Sequence, residues 1–168
     1  MKLIKPNKKY EKSWKKALEE FENNKITGFW NISGLEMNFE EYLQSTIDHL
    51  NGKNLPENWV PATTYWLIDQ DEFVAHINIR HKLNEKLKKI GGNIGYSVRP
   101  SAHKKGYGTN ILKLALPKAK EIGLKKVMLT CDDGNIASEK IIERNGGKLK
   151  EISNFEGKKI RRYWIDLN

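Results

Sequence analysis

The stretch VRPSAHKKGYGTNIL, residues 98–112, decides how the chain is read. It begins where a strand ends: Val98 closes an apolar run, and Pro100 has no N–H with which to continue a ladder. It ends where a helix begins, with apolar residues at 111, 112, 115, 116, 119 and 122 forming one stripe. Between the two lie Lys104, Lys105, Gly106 and Gly108. The first turn of a helix carries N–H groups without partners, and its dipole favours negative charge there. Two lysines add positive charge, Thr109 offers a hydroxyl, and the glycines allow close backbone approach. A phosphate or diphosphate suits such a turn. The turn is not a Walker loop, because no Gly-Lys-Ser/Thr follows at the right spacing. It is not the dinucleotide fingerprint either, because Asn110 and Ile111 follow Gly108 where a third small residue is needed.

Upstream, residues 8–24 read as a helix with Tyr10, Trp14, Ala17, Leu18 and Phe21 on one face. A second helix opens at Asn38 and ends at Asn51-Gly52. The period then changes. Residues 64–68 and 73–80 are strands about an Asp69-Gln70-Asp71-Glu72 turn, and in the second Phe73, Ala75, Ile77 and Ile79 are expected on one face. Residues 84–90 suggest a helical turn, and residues 94–98 a third strand. Downstream, residues 108–122 are a helix despite Pro117, where a kink is expected because an interior proline costs about 3 kcal/mol. Residues 126–131 are a strand and 135–144 a helix. Residues 148–152 and 160–167 form an antiparallel pair about Glu156-Gly157. The predicted fold is α/β (α+β), a mixed, mostly antiparallel central sheet of about seven strands with helices on both faces, in a single domain over 1–168.

Composition narrows the function. The 168 residues carry 30 Lys and Arg against 21 Asp and Glu, a net charge of +9. That charge serves solubility or a polyanionic partner, either nucleic acid or a phosphate-bearing cofactor. No apolar run reaches the ~20 residues that cross a bilayer, and the N-terminus is too charged for a signal peptide. A soluble, cytoplasmic protein with no membrane partner is expected. The single cysteine, Cys131, excludes an internal disulfide and a multi-cysteine zinc site. No metal site is expected, because the four histidines are scattered.

Three ordered motifs carry a resemblance. His103-Lys104-Lys105-Gly106-Tyr107-Gly108 resembles the Gln/Arg-x-x-Gly-x-Gly/Ala signature of the GCN5-related N-acetyltransferase (GNAT) superfamily. Gly95-Tyr96-Ser97-Val98-Arg99-Pro100 is similar to the strand that precedes it. Asn135-Ile136-Ala137-Ser138, with Glu143-Arg144-Asn145-Gly146-Gly147, is similar to the segment that follows it. The resemblance implies a GNAT-like fold that binds acetyl-coenzyme A. It implies that the amides at Lys104, Lys105, Gly106, Tyr107, Gly108 and Thr109 hold the diphosphate, with His103 replacing the usual Gln or Arg. It implies that the backbone of Tyr96, Ser97 and Val98 pairs with the pantetheine, and that Asn135 and Ser138 approach it from the far side. An amide near Val98 would polarise the thioester carbonyl.

Catalysis is less legible. The family tyrosine that protonates the leaving thiolate falls at Ile142, and no obvious base stands between Gly91 and Val98. The candidates are His76, Asn78 and His81 on the neighbouring strand. Arg80 is expected to pair with Glu or Asp across the sheet, and Cys131 to be a buried, inert thiol. Tyr10, Trp14, Phe21, Trp59, Tyr65 and Trp66 are expected in the core, whereas Phe29, Trp30 and Phe39 are free to shape an acceptor pocket. The leading function is transfer of an acetyl group from acetyl-CoA to a primary amine by direct attack. The expected partners are acetyl-CoA and an amine-bearing acceptor, and a homodimer is compatible with this. A non-catalytic acyl-CoA sensor is the alternative. A basic nucleic-acid-binding module is the weaker one, because the aromatics form no interleaved stacking strip.

Overall fold

The computed structural model describes residues 1–26 and 38–167. Seven strands fall into two antiparallel sheets. The first has the order β1-β2-β3-β4, from Lys2–Ile4, Ala62–Asp69, Glu72–Arg80 and Ile94–Val98. The second has the order β5-β7-β6, from Lys126–Asp132, Lys158–Asp166 and Lys148–Phe155. The helices are α1 (Glu11–Asn23), α2 (Phe39–Asn51), α3 (Glu85–Lys89), α4 (Tyr107–Glu121) and α5 (Ile136–Arg144). The elements match the sequence expectations, and α4 carries Pro117 within it. One strand was not anticipated: β1, three residues long, joins the sheet edge by pairing Leu3 with Leu67. Three residues are too few to show a period-two pattern.

Two cores lie on opposite sides of the first sheet. On one side Leu67, Ala75, Ile77, Ile79 and Ile94 pack with Ile111, Leu112 and Ala115 of α4 and with Ile142 of α5. On the other, Trp14 and Phe21 of α1 and Phe39 and Tyr42 of α2 enclose Trp66, Ile68 and Phe73. Trp14 stacks on Tyr42 at 4.7 Å between ring centroids and meets Phe39 edge-on at 5.1 Å. Trp66 donates its indole N–H to Tyr42 Oη at 3.1 Å. Each of these aromatic pairs adds about 0.5–1.5 kcal/mol beyond its buried area.

Phe73 corrects the expected alternation. Leu67 pairs with Ala75 but Ile68 pairs with Phe73, so Val74 is an extra residue in β3. That bulge turns Phe73 to the α1 side while Ala75, Ile77 and Ile79 face α4. Phe39 is also corrected: it is 3% exposed within the aromatic core and does not line a pocket. Phe29 and Trp30 lie outside the described residues. Trp59 is half-buried and lies 5.1 Å from His49 between ring centroids. Tyr65 packs against the α4 core.

Candidate active site

The site starts with the hydrogen-bond parity of β4. Arg99 N–H donates to Val74 O at 2.9 Å at the end of the β3–β4 ladder. In an antiparallel ladder bonded pairs alternate with non-bonded ones. With Ala75 opposite Val98 and Ile77 opposite Tyr96, the peptide groups of Ser97 and Gly95 therefore face β3. Those of Tyr96 and Val98 point away from it, towards β5. No ladder joins β4 to β5, since the two belong to different sheets. The strand–helix–strand crossover through α4 makes β4 and β5 run the same way.

The two strands do meet at one end. Asn93, 3% exposed, donates its N–H to Met128 O at 2.7 Å and accepts the Met128 N–H on Oδ1 at 2.9 Å. Its carbonyl accepts the Arg80 N–H at 2.7 Å, and its Nδ2 donates to Arg80 O at 3.2 Å. Gly91 N–H reaches Thr130 Oγ1 at 2.8 Å. Gly92 fits because it has no side chain: a Cβ there would lie 2.2 Å from Met128 O. Asn93 thus clamps β3, β4 and β5 together, and beyond the clamp β4 and β5 separate. Sequence reading missed this residue. Its one signal is a polar side chain placed directly before the apolar strand 94–98.

The turn after β4 is pinned to α1. Arg99 bridges Glu20 at 2.7 Å and Glu72 at 3.2 Å, and Ser101 N–H donates to Glu20 Oε2 at 3.0 Å. The Ser101 amide and the Arg99 guanidinium hold the Glu20 carboxyl below the usual range, against the opposing effect of burial. His103 Nε2 lies 2.8 Å from Val98 O and braces the turn back onto the strand. Lys104 has φ 61 and Gly106 φ 81, both left-handed. These conformations turn the chain so that α4 starts at Tyr107.

The entrance of α4 is bare. Gly106 stands at the N-cap and no side chain caps the helix. Among the described residues, none of the six backbone N–H groups of residues 104–109 makes a hydrogen bond. Lys104, Lys105 and Gly106 are exposed, and neither lysine pairs with a carboxylate among the described residues. The arrangement is a set of donors with positive charge beside it, open to an anion.

The remaining signature residues divide by role. Tyr107 Oη donates to Asp69 Oδ2 at 2.7 Å, which ties its side chain to the β2–β3 turn. Gly108 has a packing role as well. A Cβ there would lie 2.6 Å from Ile141 Cδ1, so this glycine lets α4 approach α5. Asn135 caps α5, accepting the Ser138 N–H on Oδ1 at 3.1 Å. Ser138 is half-buried beside Tyr96. Tyr96 Oη is buried and makes no well-formed hydrogen bond among the described residues. A buried hydroxyl without a partner costs about 1–3 kcal/mol.

The candidate bases are not gathered at this gap. His76 is 2% exposed on the face of Trp66, opposite Ser97 in the ladder. Burial pushes its imidazole down to about 3, so it is a poor base at neutral pH. Asn78 Nδ2 donates to Thr64 Oγ1 at 3.1 Å. His81 Nε2 lies 2.8 Å from Thr63 Oγ1, half-buried at the end of β3, with its pKa lowered by burial. Arg80 Nη1 donates to the carbonyls of Gly91 and Gly92 at 3.2 and 3.0 Å. Cys131 is 9% exposed, and burial pushes its thiol up to about 11.

Comparison with known proteins follows this geometry. The family profile described as an acetyltransferase (GNAT) domain matches residues 14–148. No curated protein sequence matches. Among solved structures, the microcin C7 self-immunity acetyltransferase MccE, in complex with acetyl-CoA and AMP, is 17% identical. It has a TM-score of 0.69, over 98% of this chain and 91% of that one. Spermidine N-acetyltransferase from Vibrio cholerae, in complex with CoA and spermine, is 14% identical with a TM-score of 0.67, over 99% and 95%. The ribosomal L7/L12 alpha-N-protein acetyltransferase RimL, in complex with CoA, is 16% identical with a TM-score of 0.68, over 98% and 93%. At these identities the likeness is one of fold. The match of the family profile to most of the chain, over the elements that build the bare helix entrance and the β4–β5 gap, shows that it belongs to the GNAT acetyltransferase family.

Proposed function

We propose that this chain is an acetyl-CoA-dependent N-acetyltransferase acting on a primary amine. The observation that carries the reading is the α4 entrance: six consecutive amides and two lysines that find no partner among the described residues, at the open end of the β4–β5 gap. Acetyl-CoA supplies the acetyl group as an activated thioester. The residues present fit it. The amides of residues 104–109 and the ammonium groups of Lys104 and Lys105 suit a diphosphate. The outward N–H and C=O of Tyr96 and the outward N–H of Val98 suit the amides of a pantetheine arm, the Val98 carbonyl being engaged by His103. The Val98 N–H is the donor placed to polarise a carbonyl in the gap. The Asn93 clamp closes the gap at its far end, which sets how deep the arm can run.

The attacking amine has to be neutral, so a proton leaves it to a base or to water. Of the two histidines His81 is the more accessible, and its pKa is lowered by burial, which favours the neutral form. His76 is sealed on the aromatic face, and Asn78 has no basic nitrogen. A protein N-terminus and a polyamine are both primary amines, and the solved relatives bear names of both kinds. The acceptor class proposed is therefore the primary amine itself.

The test is calorimetry with acetyl-CoA followed by a thiol-release assay against a panel of polyamines, peptides with free N-termini and lysine-bearing peptides. Saturable binding with thiol release for at least one amine is expected. Binding without release from any amine would support the sensor reading. Salt-dependent binding of duplex DNA with no binding of acetyl-CoA would support the nucleic-acid reading.

A further inference from the structure

Tyr96 carries a hydroxyl that the fold does not use. The residue sits mid-strand in β4 opposite Ile77, so its side chain leaves the sheet on the α4 and α5 side. Its ring packs at the edge of the main core, where Val98 and Ile141 are also partly buried. Its Oη is buried and makes no well-formed hydrogen bond among the described residues, with the Ser138 side chain close enough to interact weakly and Cys131 close by. Tyr96 is three residues beyond Asn93, and Cys131 is three residues beyond Met128. With β4 and β5 running the same way from the Asn93–Met128 joint, the two residues stand at one level, about 10 Å up the gap. The phenol therefore lies where the strands have parted, next to the peptide groups assigned to the pantetheine arm.

The groups around it leave the phenol as the proton source. Burial pushes Tyr96 up to about 12, so it is protonated at neutral pH. Cys131 is pushed up to about 11 and is also neutral. On α5, Ser138 is a weak donor, and Ile142, one turn further along the same face, has no ionisable group. Glu139 is occupied by Gly134 N–H at 3.0 Å and by Arg161 of β7 at 3.2 Å. Arg161 in turn is held by Asp133 at 2.6 Å.

Resting on the acetyltransferase reading above, we propose that Tyr96 is the proton donor to the departing CoA sulfur. As the carbon–sulfur bond breaks, its electron pair stays on sulfur. The phenol O–H passes its proton to that sulfur and the phenolate takes one back from water. The attacking nitrogen gives its surplus proton to water. The sum is amine plus thioester going to amide plus thiol, with nothing oxidised or reduced.

The test compares the wild-type protein with Tyr96→Phe. Acetyl-CoA and CoA are titrated by calorimetry, and the ultraviolet absorbance of the CoA thiolate is followed against pH while CoA is bound. The expected result is equal affinity for acetyl-CoA, with the bound thiol titrating about one pH unit higher in the variant because a hydrogen bond to the thiolate is lost. With an acceptor amine, kcat falls about 100-fold with KM for acetyl-CoA unchanged. Equal binding with an unmoved thiol titration overturns the donor role and leaves the acetyltransferase reading standing. Failure of both proteins to bind acetyl-CoA or CoA sinks that reading and the donor role with it. If Tyr96→Phe does not fold, 3-fluorotyrosine at position 96 keeps the shape and lowers the phenol pKa. The alkaline limb of kcat then shifts to lower pH, and an unmoved limb overturns the proposal.

Discussion

Two helix entrances in this protein are built in opposite ways. At α2, Asn38 Oδ1 accepts the Glu41 N–H and Glu41 Oε2 accepts the Asn38 N–H, each at 3.0 Å, a complete capping box. At α4, a glycine in the left-handed region occupies the cap position and the amides of the turn have no partner. Asn7, Asn84 and Asn135 each cap the element that follows them, as Asn38 does. The N-cap of α1, Tyr10, makes no side-chain cap either, but α1 continues directly from the turn that Asn7 caps. The capped entrances hold the fold together. The uncapped one leaves its donors open, as the proposed diphosphate site requires, and exposure to water makes that tolerable.

The strongest way to break this contrast is to put a carboxylate in the bare entrance. Gly106→Asp sets a negative charge against a diphosphate and is expected to weaken acetyl-CoA binding about a thousandfold, about 4 kcal/mol. Its cost to the fold is about 1–2 kcal/mol of left-handed strain. A Cβ there meets only Asn110 Nδ2, at 3.8 Å. Calorimetry and thermal unfolding on the same samples separate the two effects. Gly108→Asp is a poor substitute, because its Cβ runs into Ile141 and the loss of binding would be confounded with misfolding. Unchanged affinity in Gly106→Asp would mean that the free amides are not the anchor.

The second test moves to the closed end of the gap. Asn93→Ala leaves the Met128 N–H and the Arg80 carbonyl buried without their side-chain partners. The expected loss is about 3 kcal/mol of stability, seen as a fall in Tm of about 2–4 °C for each kcal/mol. A variant as stable as the wild type would show that the splay of β4 and β5 does not depend on this amide.

How much of this was legible beforehand follows from the kind of signal each feature leaves. Element type and order could be read because period and turn residues are local: the α4 stripe, the Gly52 stop and the Asn38 start all lie within a few residues of what they govern. The glycine turn between β4 and α4 could be read because lysines and glycines crowd it. Register could not. The extra Val74 that turns Phe73 to the other face is a choice made between β2 and β3, and nothing within β3 marks it. Long-range polar partners were equally silent. Arg99 finds Glu20 and Glu72 across many residues, and Arg80 donates to the backbone carbonyls of Gly91 and Gly92. The packing role of Gly108 was not legible, because the side chain that requires it, Ile141, belongs to a helix that starts 28 residues later.

The third test concerns the face on which His76 lies, set apart from the gap. Folded His76 titrates at about 3 and the unfolded residue near its ordinary 6.5. The unfolded state therefore binds a proton that the folded state refuses. The stability this confers is complete above pH 6.5 and is lost as pH falls towards 3, by up to about 1.4 kcal/mol per pH unit. His49 and His81 are lowered by burial too and act in the same direction. The measurement is therefore the difference between wild type and His76→Gln in urea unfolding at pH 6 and pH 4. A shallower acid slope in the variant is expected. Identical slopes would place the imidazole in contact with solvent and return it to the candidate bases.

The smallest effect is the one that sharpens the contrast between entrances most directly. Asn38→Ala removes the α2 cap and frees Glu41 from its reciprocal bond. Loss of such a cap costs about 1 kcal/mol, a fall in Tm of about 2–4 °C. Because the Asn38 bonds are all made within the start of its own helix, acetyl-CoA affinity should be unchanged within error. Paired with Gly106→Asp, this gives a crossed result: one entrance moves stability and leaves binding alone, while the other moves binding far more than stability. If Asn38→Ala weakened acetyl-CoA binding as strongly as it weakened the fold, the two entrances would be coupled through the first sheet. The division between a structural end and a binding end would then have to be abandoned.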